Sequence, residues 1–392
     1  MSESKRLVDL VQSRIDEYLM SREPIVTLIS SDLTPLIDYS RQFLSGGKRF
    51  RAQFCYWGAR SVLPQDSGPE SGQPTAGQPS VSADDEATAS AAPAPAAGGL
   101  AAVVSAASAL EIFHAAALVH DDIIDNSDTR RGAPSAHKLF ESLHEREGWA
   151  GDSASYGRAS AILLGDLLLG WSDELLDEGL DELADRASAR RARLEFNFMR
   201  TEVTAGQYLD ILEERAWLAQ PEAELLDRAL RVIVYKSAKY SVQAPLVIGA
   251  ALAGASATQL NSLRAFGLPL GMAYQLRDDL LGVFGDAAVT GKPSGDDLTE
   301  GKRTVLIALA RERLSDADRA SLDAQLGNPT LNTAQIRALQ QLISASGAVD
   351  RVEALIEAQV AEALAALETA PISAGARQKL LDLTDRVTRR AF

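Results

Sequence analysis

Two apolar helical segments, far apart in the chain, each end in a pair of adjacent aspartates, and this feature most constrains the fold. The first segment runs from Leu110 to Val119 without Gly or Pro and continues into His120-Asp121-Asp122-Ile123-Ile124-Asp125. About 150 residues later, the second segment carries Gln275-Leu276-Arg277-Asp278-Asp279. Such segments are typical of buried helices, so both acid pairs are predicted to lie on core helices. Acids that face each other in a low-dielectric cleft repel and need cations between them.

The spacing of the acids favours a divalent metal. On a helix Asp121 and Asp125 are four residues apart, so both carboxylates project from one face, and His114 lies two turns earlier on the same side. Gln275 shares a face with the second acid pair by the same rule. Mg²⁺ prefers oxygen ligands and keeps positions for water or substrate phosphates, so it suits this arrangement better than zinc.

Composition limits the ligands and the compartment. A net charge of −15 and a pI near 4.8 argue against a nucleic-acid partner, which needs a basic face. The single cysteine, Cys55, excludes an intramolecular disulfide framework and fits a reducing cytoplasm. The N-terminus is polar, and no uninterrupted apolar run approaches the roughly 18 residues of a membrane span. We therefore expect a cytoplasmic protein with no transmembrane segment.

The 392 residues are expected to form one domain, 1–392, interrupted by an insertion at 63–99. The insertion is rich in Pro, Gly, Ala and Ser and buries too little apolar surface to offset its ordering entropy, so it is predicted to be disordered. Strong helical patterns adjoin it on both sides, which favours a loop within one domain over a linker between two. Elsewhere apolar residues recur at helical spacing, which predicts an all-α bundle of roughly ten or more helices.

Basic residues cluster in three places, as an anion-binding site would require. Arg130 and Arg131 follow the first acid cluster, and paired arginines offer forks that match phosphate. The segment Ser45–Arg51 puts two glycines before a cationic turn, and Gly291–Thr304 carries further lysines. Glycines let the backbone approach an oxyanion, and lysines add point charge. The first segment is not a Walker loop, because Arg49 follows the lysine where Ser or Thr is required.

The ordered set of these motifs strongly resembles the trans-isoprenyl diphosphate synthases. The residues that carry the resemblance are Gly46-Gly47-Lys48-Arg49-Phe50-Arg51, His114, Asp121-Asp122-Ile123-Ile124-Asp125, Arg130-Arg131-Gly132, Gly165-Asp166, Gly206-Gln207, Lys236-Ser237, Gln275-Leu276-Arg277-Asp278-Asp279 and Gly291-Lys292 through Lys302. The resemblance implies an all-helical fold around a deep central cavity, usually as a homodimer. It also implies a prenyltransferase that joins isopentenyl diphosphate to an allylic diphosphate head to tail.

By the same resemblance, each motif has a role. Asp121 and Asp125, with Asp278 opposite, would bind three Mg²⁺ ions that hold the allylic diphosphate. Supporting acids would be Asp122, Asp279 and Asp286. Charge that develops as the carbon–oxygen bond ionises would be stabilised by the metals and by Arg130, Lys236 and Lys302.

The second substrate, the homoallylic diphosphate, has its own implied set of residues, namely Lys48, Arg51, His114 and Arg131. These would hold its double bond over the nascent allylic cation. Further diphosphate contacts are expected from Ser237, Gln275 and Lys292. No side chain looks placed as a dedicated base, so the departing diphosphate is expected to accept the proton lost at the end. Arg386, Arg389 and Arg390 could close over the substrate, but neutralisation of a helix C-terminus is the favoured interpretation.

Two positions depart from the family pattern. Gly282 stands where many relatives carry the fifth-position aspartate of the second motif, so only the first half of that motif should coordinate metal. Ser237 stands where threonine is usual, and its hydroxyl should be tolerated.

Product length is predicted from the residues before Asp121, because the product must grow along that helix. Three residues toward the N-terminus reach roughly 4.5 Å deeper, on the order of one isoprene unit. Ala116 and Ala117 are small and leave room, whereas Phe113 is the first bulky residue that could form a floor. A twenty-carbon product, geranylgeranyl diphosphate, is therefore expected, with longer polyprenyl diphosphates as the alternative.

Other functions remain open at this point. The chain could be a non-catalytic subunit of a heteromeric prenyl synthase, although such a partner tends to lose one of the two acidic motifs. A terpene cyclase or head-to-head synthase would share an acidic metal motif but would not need the basic set for a second diphosphate. A diphosphate hydrolase is disfavoured, because it needs a positioned water and a base.

Overall fold

The computed structural model describes residues 3–62, 98–130, 132–285 and 294–388. Its first half comprises α1 (Glu3–Ile29), a 3₁₀ turn (Ser31–Leu33), α2 (Thr34–Phe43), α3 (Phe50–Val62), α4 (Gly98–Ile124), α5 (Ala136–Glu147), α6 (Ser153–Asp181) and α7 (Arg186–Ala216). Two 3₁₀ turns follow (Trp217–Ala219 and Glu222–Glu224), and then α8 (Leu225–Val232), a π-helix (Ile233–Gln243), α9 (Ala244–Leu252) and α10 (Ala257–Phe284). The rest comprises α11 (Asp296–Glu300), α12 (Val305–Arg311), α13 (Asp316–Gln325), α14 (Thr333–Ala345), α15 (Ala348–Thr369) and α16 (Ala374–Thr388).

The all-α prediction is confirmed. Within the described ranges, the extended structure is one small hairpin in which β1 (Thr129–Arg130) pairs antiparallel with β2 (Ala133–Pro134). The predicted insertion lies almost wholly outside the described residues, since 63–97 are among those left undescribed. The helices on either side of it, α3 and α4, pack against each other, as expected if both belong to one core.

Helix α4 lies at the centre of the larger core. Its sequence is almost continuously Ala, Val, Leu and Ile up to the acids, and it packs against α1, α3, α6 and α9. By length and composition, Gly99–Ile124 could cross a membrane, which the search for apolar runs did not anticipate. However, 83% of its most apolar window is buried inside the fold, so packing rather than lipid accounts for its composition.

Helix α10 connects two cores. Its N-terminal half contributes Leu263, Phe266 and Leu270 to the core around α4, whereas its C-terminal half packs with α12 and α15 in a second core. A capping box starts the helix: the Ser256 hydroxyl accepts from the Gln259 backbone N–H, and the Gln259 side chain accepts from the Ser256 N–H. This length and anchoring carry the second acidic motif to the end of the bundle where α4 also ends.

Glycines allow the helices around the site to approach closely. A β-carbon built on Gly206 would overlap the backbone of Tyr235 and Lys236, so α7 can touch the π-helix only because residue 206 is glycine. A β-carbon built on Gly271 of α10 would overlap the backbone of Ala238 from the other side. The π-helix, which carries Lys236, is therefore held between α7 and α10.

Candidate active site

The first acidic motif forms the C-terminal end of α4. The Asp125 backbone N–H donates to the Asp121 carbonyl over 2.8 Å, so the two residues are one helical turn apart, as predicted. The Asp122 side chain is fully buried. Side-chain exposure is 20% for Asp121 and 2% for Asp125, so both carboxylates are largely shielded from solvent.

Arg130 is bound by the middle acid of this motif. Its Nε donates to Asp122 Oδ1 over 2.8 Å, its Nη2 donates to the same oxygen, and Nη2 also lies 3.5 Å from Asp121 Oδ2. Burial would lower the pKa of Arg130, but Asp122 and Asp121 outweigh burial and raise it. The guanidinium thus stays charged beside Asp121, and Asp122 is engaged in holding it.

Two half-buried lysines complete the cationic side of the site. Lys236 Nζ lies 3.3 Å from Asp121 Oδ1 and donates to the Asp210 carboxylate. Lys302 Nζ lies 3.5 Å from Asp125 Oδ2 and 2.7 Å from Glu300 Oε2. Glu300 is itself fixed by Ser127, whose hydroxyl donates to Glu300 Oε1 over 2.7 Å. Each lysine is therefore held between an acid of the first motif and an acid from a different part of the chain.

Lys302 also joins the two acidic groups. Besides its ion pair with Asp125, its Nζ lies 3.8 Å from Asp297 Oδ1, and Asp297 is a neighbour of the second motif. Asp297 and Asp278 both raise the pKa of Asp279, while Lys302 acts in the opposite direction. Acids of α4 and α11 thus lie around a common cation next to the α10 motif, as like charges in one cleft require.

The two aspartates of the second motif differ in environment. Asp278 is exposed, whereas Asp279 is buried and accepts a 2.8 Å hydrogen bond from Gln275 Nε2, which confirms the predicted shared face. Burial raises the pKa of Asp279 to about 8, although the hydrogen bond from Gln275 opposes the shift. Asp279 is therefore mostly protonated at neutral pH when no metal is bound.

The pKa values of Asp121 and Asp125 are shifted in opposite directions. Burial would raise the pKa of Asp121, but Lys236, Lys302 and Arg130 outweigh burial and hold that pKa well below its usual range. At Asp125, burial and the Asp121 charge outweigh Lys302 and raise the pKa to about 6. Asp121 is thus a permanent anion, and Asp125 becomes one near neutral pH.

These carboxylates fit a hard divalent cation. Both oxygens of Asp125 and Oδ1 of Asp121 are buried without a hydrogen-bond partner in the described ranges, apart from the ion pairs to lysine. Buried polar atoms normally have partners, so these oxygens are available as ligands. No three acidic, cysteine or histidine side chains of the described residues converge as a preformed metal site. A metal here would take its remaining ligands from water or a phosphorylated substrate.

The glycine–lysine loop lies between α2 and α3. Gly46 and Gly47 have φ of 68° and 89°, which favour glycine, and the Lys48 side chain after them is exposed. Arg51 Nη2 donates to Ser241 Oγ over 2.8 Å, and its guanidinium lies 4.4 Å from the centre of the Tyr240 ring. Arg51 Nε is buried with no hydrogen-bond partner in the described chain. Tyr240 also joins His114, since His114 Nδ1 and Tyr240 Oη are 3.0 Å apart.

The remaining predicted residues fall in different places. Ser237 lies half-buried on the π-helix next to Lys236. Phe113 and Ala116 are buried on α4, and Ala117 is half-buried there. Arg386 Nη1 donates to Gln53 Oε1 over 3.1 Å, so it lies near the glycine–lysine loop rather than only at a helix end. The predicted residues outside the described ranges are Arg131, Asp286, Lys292, Arg389 and Arg390.

Sequence reasoning missed three residues of the site, namely Asp210, Tyr240 and Glu300. Asp210 lies one helical turn after Gly206 on α7. The four-residue spacing places both residues on the same face of the helix, which could have pointed to Asp210. Tyr240 could not be found in this way. It lies in the π-helix, where residues that share a face do not follow α-helical spacing. Glu300 ends the five-residue helix α11, two residues before Lys302, and a helix this short gives no facial periodicity from which to predict it.

Comparison with known proteins gives the same family as the motifs. Residues 34–343 match the family model described as polyprenyl synthetase. The chain belongs to the polyprenyl synthetase family. A geranylfarnesyl diphosphate synthase from Aeropyrum pernix is 30% identical over 71% of this chain and 79% of its own length. A short chain isoprenyl diphosphate synthase from Methanocaldococcus jannaschii is 29% identical over 62% of this chain, and the alignment covers 66% of that protein.

Among solved structures, a polyprenyl synthetase homologue resembles the whole fold. The geranylgeranyl pyrophosphate synthase from Corynebacterium glutamicum, complexed with isoprenyl diphosphate and magnesium, has a TM-score of 0.85 and 34% identity. The match covers 100% of both chains. The chain is thus a trans-prenyltransferase of the isoprenyl diphosphate synthase type by family and by fold.

Proposed function

We propose that this polyprenyl synthetase condenses isopentenyl diphosphate with allylic diphosphates head to tail and that its main product is geranylgeranyl diphosphate. The observation that carries the proposal is the position of Lys302 between Asp125 of α4 and Asp297 beside α10. A site of opposed acids with fixed cations suits a diphosphate that must leave a carbon atom. The chain is proposed to act as one domain, 1–392, in which 63–99 is an insertion.

Magnesium is proposed as the metal of this site, with Asp121, Asp125 and Asp278 as ligands and three ions as the expected number. The support is that Asp121 Oδ1 and both oxygens of Asp125 are buried with no partner in the described chain other than the lysine ion pairs. When bound, Mg²⁺ would neutralise the charge of the departing diphosphate. Asp122 and Asp279 would assist indirectly, because one holds Arg130 and the other binds Gln275.

The protein's own cations are proposed to divide between the substrates. Arg130, Lys236 and Lys302 surround the α4 acids and would contact the allylic diphosphate as its carbon–oxygen bond ionises. Lys48, Arg51 and His114 form the other group, in which Tyr240 contacts both Arg51 and His114, and would hold the homoallylic diphosphate. Arg131 and Lys292 are proposed to join these groups from the undescribed positions, and Ser237 would contribute its hydroxyl.

The twenty-carbon product is proposed from the profile of α4. Ala117 and Ala116 precede Asp121 by about one turn, and Phe113 follows a turn deeper. The Phe113 ring packs edge to face against Phe196 and Tyr240, with ring centres 6.0 and 5.7 Å apart, so it is fixed rather than free to move aside. A fixed ring at that depth would stop elongation.

A homodimer is proposed through the outer faces of α6 and α7. These two long helices expose large apolar side chains, namely Ile162, Leu163, Leu194, Phe198 and Tyr208. Exposed apolar groups of this size commonly mark a protein interface. Light scattering after size-exclusion chromatography should give a dimer for the wild type and a monomer for Phe198→Glu. A monomeric wild type would contradict this assembly.

Three parallel incubations, one for each allylic starter, test the activity. The purified full chain would be mixed with Mg²⁺, radiolabelled isopentenyl diphosphate and dimethylallyl, geranyl or farnesyl diphosphate in turn. A twenty-carbon product from each starter supports the proposal, whereas Asp121→Asn should give none. If the wild type releases no diphosphate by itself, the non-catalytic subunit becomes the better function. If the product is longer, only the chain-length assignment fails.

A further inference from the structure

Arg49 lies in the middle of the glycine–lysine loop, but its side chain turns inward. The residue is 7% exposed, in contrast to the exposed Lys48 before it, and its φ of 50° lies in the left-handed region. That conformation is uncommon for a residue other than glycine and persists only where the surroundings impose it.

The Arg49 guanidinium donates hydrogen bonds to three acceptors around it. Nη1 donates to Glu111 Oε2 over 3.2 Å, and Nη2 donates to Gln12 Oε1 over 2.6 Å and to the Leu44 carbonyl. The guanidinium therefore ties the loop to α4, to α1 and to the end of α2 together. A planar fork is suited to this task, because several fixed donors are satisfied by one group.

Glu111 holds the same loop through its second oxygen. Its Oε1 accepts from the Ala52 backbone N–H over 3.1 Å, so one buried carboxylate binds the Arg49 side chain and the first turn of α3. Glu111 lies one helical turn before His114 on α4. The groups that would hold the homoallylic diphosphate are thereby attached to one helix: His114 directly, and Lys48 and Arg51 through Arg49 and Glu111.

We propose that Arg49 and Glu111 are positioning residues that set Lys48 and Arg51 relative to His114, and that this pair governs affinity for the homoallylic diphosphate. The inference rests on the proposed function, because it assumes which substrate these three residues hold. The cations of the allylic site have other partners: Lys236 pairs with Asp121 and Asp210, and Lys302 pairs with Asp125 and Glu300. Loss of the Arg49–Glu111 pair should therefore affect one substrate and spare the other.

Two conservative variants test the inference. Arg49→Lys keeps the charge, but its single nitrogen cannot replace the two guanidinium nitrogens that reach Glu111 on one side and Gln12 and Leu44 on the other. Glu111→Gln keeps the contact to Ala52 but loses the charge. Each should raise the KM for isopentenyl diphosphate about tenfold or more, since a small displacement of binding groups is costly. The KM for farnesyl diphosphate and kcat should change by less than about twofold. A double variant, Arg49→Met with Glu111→Leu, should regain stability because no buried charge is left unpaired, but it should not regain affinity.

A matched control separates positioning from stability. Glu213→Gln disrupts the bidentate pair between the buried Glu213 and the partly buried Arg228, which joins α7 to α8 away from the loop. It should lower Tm without changing either KM. If the Arg49 and Glu111 variants behave like this control, or raise both KM values together, the inference is overturned.

Direct binding keeps this test distinct from that of the proposed function. Isothermal titration with isopentenyl diphosphate alone should give a dissociation constant about tenfold weaker for Arg49→Lys than for the wild type. A wild type that binds the ligand but makes no product would contradict the proposed function and leave this comparison intact. A wild type that does not bind it would contradict the inference.

Discussion

The Asp297 carboxylate lies in the space that a side chain on Gly282 would occupy. A β-carbon built on Gly282 would lie 2.8 Å from Asp297 Oδ1 and still closer to Cγ and Oδ2. Gly282 stands where the second acidic motif of related sequences often has its last aspartate. In this chain α11 supplies a carboxylate at that point, and the glycine leaves room for it. Asp297, fifteen positions later in the chain, thus fills the space that a side chain at position 282 would need.

Substitutions at positions 282 and 297 test whether the Asp297 carboxylate takes the place of an acid at position 282. Gly282→Asp should weaken metal binding about tenfold, because it adds a clash and a like charge next to Asp297. Asp297→Ala should weaken it as well, whereas the double variant should bind more tightly than either single one. Mn²⁺ affinity in the presence of inorganic diphosphate, followed by electron paramagnetic resonance, provides the measurement. Simple addition of the two losses would mean that the residues are not interchangeable.

The ion pair between Lys236 and Asp210 is expected to matter for catalysis. Asp210→Asn removes the partner that aims Lys236 at Asp121, so kcat should fall by roughly tenfold to a hundredfold with a smaller change in KM. Glu202→Gln is the matched control, because Glu202 pairs with Lys239 between the same two helices and Lys239 has no ion pair to the α4 acids among the described residues. Steady-state kinetics of both variants decides the matter. Equal losses in the two would assign Asp210 a merely structural part.

Local patterns predicted the ends of α4 and α10 well. The four-residue spacing of Asp121 and Asp125 and the pairing of Gln275 with Asp279 both follow from helix geometry, which depends only on nearby residues. The all-α class followed for the same reason. The buried helix predicted at Leu110–Val119 is found in α4, whose membrane-like apolarity comes from burial inside the fold.

Long-range partners could not be predicted. The π-helix depends on a hydrogen-bond register that apolar spacing does not reveal, and it is stabilised by Gly206 and Gly271 packing on its two sides. The Arg49–Glu111 pair joins residues 62 positions apart, and neither residue carries a signal of burial in its own segment. Sequence spacing therefore gave the first acids of the site but not the groups that position its cations.

Phe113→Ala should lengthen the product. Removing the ring opens α4 beyond Ala117 and Ala116, so chains longer than twenty carbons should appear on radio-chromatography. Such a truncation also costs about 3–5 kcal/mol of stability in a packed core. Phe266→Ala, in the same core on α10, is the control for that cost and should leave the product unchanged. An unaltered product profile for Phe113→Ala would remove Phe113 from the role of floor.

Glu214 should make the metal-free protein less stable at alkaline pH. Burial, together with Asp210 and Asp125, raises the pKa of Glu214 to about 7 from an ordinary value of 4.5. Because the folded state disfavours the charged form, the cost is absent below pH 4.5, grows as the pH rises, and is complete above pH 7. Glu214→Gln should therefore stabilise the protein at pH 8 by about 2 kcal/mol, after a discount for solvent screening, and by almost nothing at pH 4.5.

Urea unfolding in EDTA at the two pH values measures this difference, with the exposed Glu224→Gln as the control. EDTA is necessary because a bound cation would lower the pKa values of the acids around Glu214 and remove the effect. The same stabilisation at both pH values would point to packing instead of charge. A gain at pH 8 alone would identify Glu214 as an acid that the folded site keeps partly protonated until a cation arrives.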